Sequence, residues 1–217
     1  MKVAVILSGC GAFDGSEIYE TTLTLLAIDQ ADESYQCMAP NIEQFDIINH
    51  LTGDIGAAES RNVLTESARL ARGEIIDLEQ AEPDDYQAVI IPGGFGAAIN
   101  LSDFASKGAE LSIDPHVRNF IQAMHRQQKP IGLIGIAPAL SAELFGPGVG
   151  CSIGNDPQTA EAIETSGAKH HTCEVDDIFI DLQNKLVTTP AYMLASRISE
   201  AATGINKLVQ AVIKLAH

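Results

Sequence analysis

Tryptophan is absent from this 217-residue sequence, and its larger aromatics are limited to seven Phe and four Tyr. A core of this size must then be filled by Ile, Val, Leu and Ala, as in parallel strands covered by helices on both faces. Cationic side chains are also scarce: 13 Lys and Arg stand against 29 Asp and Glu, a formal charge of −16. Nucleic-acid binding relies on Lys and Arg neutralising phosphates, so the balance argues against that partner, and equally against an anionic membrane surface. The plain meaning of the acidic surplus is solubility.

Long hydrophobic runs are missing too. The N-terminal run, Val3 to Leu7, is five residues long. That is too short for the core of a signal peptide or for a bilayer span. Cys10, Cys37, Cys151 and Cys173 are scattered and show no CxxC spacing. Such cysteines suit a reducing compartment better than a disulfide framework. The expected location is cytoplasmic, or an organelle matrix equivalent to the cytoplasm.

What is present is an alternation of apolar runs and helical periods. VAVIL, YQCMA, EIIDL, AVIIPGG and KPIGLI read as strands, the first, fourth and fifth as buried parallel ones. After the first strand, Asp14 and Glu17 have the spacing of a capping box. The helix that follows would carry Ile18, Thr22, Leu25 and Leu26 on one face. ESRNVLTESARLARG, SIDPHVRNFIQAMHRQQ and QTAEAIETSGA read as further helices, with another from near Ala137 to Gly146 and a last one from about Leu194. INHLTGDIGAAE reads as a long loop or excursion. IFIDLQNKLVTT alternates and turns at Gln183–Asn184, the pattern of an antiparallel hairpin.

With no repeat or linker-like break, residues 1–217 are expected to form one doubly wound α/β domain of flavodoxin-like type, with the hairpin near its C-terminal end. Ligands in such sheets bind beyond the carboxyl ends of the strands, at the loops after Leu7, Ile91 and Ile134.

Three motifs carry little chemistry. Gly9, Gly11 and Gly15 form an incomplete dinucleotide fingerprint, and no acid ends the second strand to hold a ribose. GCSIG matches G-x-S-x-G, yet it lacks the preceding strand and following helix that a serine nucleophile needs. His170, His171, Cys173, Asp176 and Asp177 lie close in sequence, but adjacent strand residues point to opposite faces, and no second ligand motif accompanies them. A turn, an incidental serine and a surface segment are the preferred readings. No metal and no cofactor are expected.

KPIGLIGIAPAL is the informative stretch. It reads as a buried strand, a sharp turn and a helix, the arrangement that lifts an apex side chain to the mouth of a sheet. The apex is Gly135, which has no side chain. Gly93 and Gly94 end the neighbouring strand, and their amides could polarise a carbonyl oxygen. Glu17 and Glu20, on the first turns of the first helix, would stand at the same mouth, either as proton-transfer groups or simply as acids favouring a helix start.

VAVILSGCGAFDGSEIYE, RNVLTESARLARGEI, PGGFGAAINLSDFA, KPIGLIGIAPAL and VTTPAYMLA together resemble the ElbB-type, glyoxalase-like proteins of the PfpI/deglycase superfamily. The resemblance runs over nearly the whole chain. It implies a class I glutamine amidotransferase-like fold, a homodimer, a link to isoprenoid biosynthesis and a site containing a cysteine at the elbow and an acid on the first helix. Gly135 stands in the cysteine's place; Glu20 best matches the acid, with Glu17 the alternative. Gly93, Gly94, Ile136, Pro138 and Cys10 would surround the site. The amidase and protease members place His directly after the cysteine, where this chain has Ile136, so protease activity is not expected.

Glutathione-independent glyoxalases, which such proteins resemble, convert methylglyoxal to lactate without metal or coenzyme. The thiolate is the nucleophile there, and Gly135 cannot replace it. Cys10 could approach the vacant apex from the first loop, but its acidic neighbours Asp14 and Glu17 would raise its pKa, so a small semi-buried residue is the preferred reading. Two functions follow from the resemblance: a glyoxalase-like scaffold for small 2-oxoaldehydes impaired at its nucleophile, or a non-catalytic protein that binds a small molecule.

Overall fold

A computed structural model describes residues 1–56 and 60–217. The end of the expected excursion and the first residue of the expected ESRNVLTESARLARG helix fall outside the described residues. The chain runs β1 (Lys2–Ile6), α1 (Ile18–Gln30), β2 (Ser34–Ala39), α2 (Val63–Leu70), β3 (Ile75–Asp77), β4 (Ala88–Ile91), α3 (Gly96–Ile99) and α4 (Phe104–Lys107). It continues with α5 (Pro115–Arg126), β5 (Ile131–Ile134), α6 (Ser141–Phe145), β6 (Gly150–Cys151), α7 (Pro157–Thr165), β7 (Lys169–His170), β8 (Phe179–Asp181), β9 (Leu186–Thr189) and α8 (Ile198–Ala216).

Among the described residues, seven strands form one sheet in the order β3-β2-β1-β4-β5-β9-β8. Only β8 runs antiparallel, against β9, as the hairpin pattern predicts. β6 and β7 form a separate parallel pair.

Alternation along β1 explains the two layers. Val3, Val5 and Leu7 face one core with Ile28 of α1 and Ile205, Leu208 and Val212 of α8. Ala4 and Ile6 face the other, with Val117, Phe120, Ile121 and Met124 of α5. Side chains of successive strand residues point to opposite faces, so a continuous apolar run is what a sheet covered on both sides requires.

Helix α1 differs from its sequence reading in two ways. Its cap is Glu17, whose side chain accepts the Glu20 N–H. Asp14 instead turns away and accepts the Ile48 N–H at 2.8 Å. The expected apolar face is also reversed: Ile18 and Leu26 are 44% and 46% exposed, while Glu20, Thr21, Thr24, Ala27 and Ile28 are buried. Both sets repeat with a helical period, and the packing of α1 against α8 and the sheet selects the second. The Thr21 and Thr24 hydroxyls bond back to the Glu17 and Glu20 carbonyls, which makes their burial tolerable. The final helix starts at Ile198 and not near Leu194, because Arg197 is extended and the Ser196 N–H turns back onto the Glu200 carboxylate.

Candidate active site

Strand order reverses direction around β1 and β4, so a crevice opens beyond the carboxyl ends of β1, β4 and β5. At its base, Ile134 ends β5 and Gly135 takes φ +63°. The Gly135 N–H donates to the Thr189 carbonyl at 3.0 Å, fixing the turn to the end of β9. A residue with a side chain would be strained there by about 1–2 kcal/mol. Ala191, two residues beyond β9, accepts such strain with φ +43°. That bend presents the Tyr192 N–H to the site.

The Glu20 carboxyl receives it. Tyr192 N–H donates to Glu20 Oε1 at 3.0 Å, and Gly93 N–H donates to Oε2 at 2.8 Å. The side chain is only 1% exposed, and burial pushes its pKa up to about 8, with Glu17 raising it further and the two N–H donors opposing. Glu20 is therefore largely neutral at pH 7. Both oxygens already accept a backbone N–H, so the acid's own proton is the donor it has left for a ligand. A Cβ built on Gly135 would lie 2.8 and 2.9 Å from these two oxygens. The acid and the apex thus lie in direct contact, with the acid taking up the space a side chain at position 135 would enter.

Other sequence-predicted residues fall less simply. Gly93 does not act as a free oxyanion donor, because Glu20 holds its N–H. Gly94, at φ +100°, lines the cavity and has no room for a Cβ, which would run into the Glu17 and Gly15 backbone. Glu17 and Ile136 line the cavity; Pro138 and Cys10 do not. Glu17 is half-buried, and burial raises its pKa. Burial also raises the Cys10 pKa, assisted by Glu66 and Asp14 against the opposing Arg69. Asp14 was foreseen among those causes; Glu66 was not, and Glu17 is not one of them.

The cavity measures about 1120 Å³. Its walls include Phe13, Phe95, Phe104, Tyr192 and Met193. The excursion after β2 supplies Ile48 and Gly53 to the wall. It is tied down by Asp14 and by His50, whose ring stacks on Phe13 at 4.8 Å. Sequence reasoning assigned no role to Tyr192 or these aromatics. Tyr192 was detectable as a residue just beyond a strand at the same sheet edge; the three phenylalanines come from three separate segments and carry no common spacing.

The three weak motifs resolve as local structure. The Gly-rich loop uses its amides internally: Gly15 N–H donates to Gly11 O, Gly11 N–H to Ser16 O, and Gly9 N–H to the Ser67 hydroxyl. Ser152 of GCSIG is fully buried, with its N–H on the Thr188 hydroxyl. His171 stacks on Phe179 at 4.0 Å, and among the described residues no group of three His, Cys, Asp or Glu is placed to hold a metal ion.

No protein-family model matches the chain. The human glutamine amidotransferase-like class 1 domain-containing protein 3, mitochondrial, is 41% identical over 223 residues, covering 99% of this chain and 83% of the human one. The crystal structure of an isoprenoid biosynthesis protein with amidotransferase-like domain from Ehrlichia chaffeensis is 32% identical, covers 99% of both chains and superposes with a TM-score of 0.91. Drosophila melanogaster DJ-1β, at 14% identity, shares the fold over 99% of this chain and 95% of its own, with a TM-score of 0.56.

The cytoplasmic expectation is corrected by the relatives. Besides the human protein, the rat ES1 protein homolog (40% identical; 99% of this chain, 84% of its own) and the zebrafish ES1 protein (31%; 88% and 77%) are mitochondrial. Scattered unpaired cysteines fit any reducing compartment, so they did not distinguish the cytosol from an organelle. No described helix is long and apolar enough to cross a membrane.

Proposed function

The chain belongs to the ElbB-like/ES1 family of proteins with an amidotransferase-like domain and a DJ-1/PfpI-like fold, and from that premise we propose that it is a glyoxalase-like scaffold whose thiol-dependent turnover is lost at Gly135. The observation that carries the proposal is the Cβ position of Gly135, which falls directly against both oxygens of Glu20. In thiol-dependent chemistry a cysteine there adds to the aldehyde carbon of a 2-oxoaldehyde, and the aldehyde oxygen takes a proton. An acid–base group then removes the proton on that carbon and returns one to the adjacent carbonyl carbon, while the hydroxyl proton passes to the adjacent oxygen and leaves a thioester. Water finally releases the hydroxy acid and the thiol. Glu20 is positioned for the proton steps; the carbon–sulfur bond has no partner. Methylglyoxal consumption by the unmodified protein and by Gly135→Cys tests this directly.

A second reading, a non-catalytic protein that binds a small molecule, is favoured by one observation. Among the described residues neither Cys nor Ser lines the cavity, so the site keeps its walls and acid without either nucleophile. The name of the Ehrlichia relative concerns isoprenoid biosynthesis, and we extend that process to this chain. Cells lacking the protein should then show altered isoprenoid output; unchanged output counts against the extension.

The same proposal includes a homodimer. Ile18 and Leu26 on α1 and Tyr35 on β2 form an exposed apolar stripe that a second copy would cover. Leu26→Glu is expected to halve the mass seen by light scattering; a mass unchanged by it, or a monomeric unmodified protein, argues against this face.

A further inference from the structure

We infer that the cavity takes an uncharged, largely apolar ligand bearing a carbonyl group, and turns away carboxylates and phosphate esters; this rests on reading the cavity as the substrate site. Size is the first observation. At about 1120 Å³ the cavity exceeds the roughly 300–1,000 Å³ common for small-molecule pockets. A three-carbon dicarbonyl would leave most of that space to water, whereas a ring system would fill it. The walls suit such a body: Phe13, Phe95, Phe104, Ile136 and Met193 supply apolar surface. Glu20 forms the floor at 1% exposure, and Phe13 and Phe95 stand at the rim at 52% and 47%.

Charge is the second observation. Among the described residues no Lys, Arg or His lines the cavity, while two acids, Glu17 and Glu20, do. Helix N-termini are the usual alternative for holding an anion, through free backbone N–H groups. Two helices of eight or more residues contribute their first turns to this cavity, α1 and α7, and both are already capped by the chain's own acids. Glu17 accepts the Glu20 N–H at 2.7 Å, and Asp156 accepts the Thr159 N–H at 2.7 Å. A phosphate brought to either turn would compete with that carboxylate for the capped N–H and meet a like charge in place.

What remains is suited to a neutral oxygen. The Glu20 proton at the floor can donate to a carbonyl, and the Gln158 side chain beside Thr159 offers an amide. An apolar body with one acceptor oxygen fits both the walls and the floor.

Four probes with one aromatic body test this on the unmodified protein by titration calorimetry: 2-acetylnaphthalene, 2-naphthylmethanol, 2-naphthoate and 2-naphthyl phosphate. The two uncharged probes are expected to bind more tightly than the two anions by about tenfold or more, the effect of a like charge held nearby in a partly desolvated site. Ala162→Trp on α7, or Ala105→Trp on α4, should abolish the ketone's binding by intruding into the cavity.

Anions that bind as tightly as the ketone overturn the inference, as does the absence of binding by all four. Ketone binding that survives both tryptophan variants, each folded, places the ligand elsewhere and also overturns it. Failure here is distinct from failure of the glyoxalase-like reading. Selective ketone binding with an inert Gly135→Cys protein sinks the chemistry and keeps the ligand class, and the reverse pattern does the opposite.

Discussion

Gly135→Cys is expected to raise methylglyoxal consumption by about a hundredfold or more above the unmodified chain, since it adds a nucleophile to a site that has none. The new Cβ would lie 2.8 and 2.9 Å from the Glu20 oxygens, closer than a settled contact. The carboxyl is held at both oxygens by the Tyr192 and Gly93 N–H groups, so accommodating the change requires a shift of about half an ångström that lengthens those bonds. Because Glu20 is largely neutral at pH 7, it can donate its proton to the sulfur. A hydrogen bond to the thiolate lowers the thiol's pKa, whereas an ionised acid in the same place would raise it. The φ of +63° adds strain of about 1–2 kcal/mol, a fall of roughly 2–8 °C in melting temperature for a chain of this size. Gly135→Ala carries the same strain without sulfur and should melt alike yet stay inert. Gly135→Cys combined with Glu20→Gln should lose most of the gain. A folded Gly135→Cys protein that leaves methylglyoxal untouched would falsify the glyoxalase-like reading.

Much of this arrangement was readable in one dimension, and the reasons are local. Buried parallel strands are continuous apolar runs, so β1, β4 and β5 declare themselves, and the topology of such sheets then points to the loops after them. The turn at Gly135 and the acid at Glu20 follow from that logic together with the family resemblance. What escaped were choices between equivalent patterns. Helix α1 has two faces with the same period, and only packing against the sheet selects Glu20, Thr24 and Ala27 over Ile18 and Leu26. Gly93 and Gly94 are adjacent and look interchangeable, yet one amide is bound to Glu20 and the other residue lines the cavity. Tyr192 reaches Glu20 across 172 residues of sequence through a main-chain N–H, which any residue type but proline could supply, so residue identity carries no signal of it.

Stability should fall as pH rises from about 4.5 to about 8, because of Glu20. Its folded pKa is raised from the ordinary 4.5 to about 8. Between those values the folded state holds a proton that the unfolded state has released, so the unfolded state binds fewer protons and stability declines with pH. The contribution is complete below 4.5, is lost through 8 and is flat beyond. At about 1.4 kcal/mol per unit, this displacement is worth roughly 5 kcal/mol. Glu17, also raised by burial, adds to the decline, while the lowered Asp103, Asp156 and Asp181 act in the opposite sense at acid pH. Comparing Glu20→Gln with the unmodified chain isolates the one group. Glutamine has a single acceptor oxygen for the Gly93 and Tyr192 N–H donors, so its amide nitrogen must face one of them. That mismatch costs about 1–3 kcal/mol and does not titrate. Glu20→Gln should therefore be the less stable protein in urea at pH 5, and the difference should close and reverse by pH 9. Two unfolding free energies that run parallel from pH 5 to 9 would mean that Glu20 is ionised throughout. The acid could then neither donate to a ligand's carbonyl nor support a thiolate at position 135.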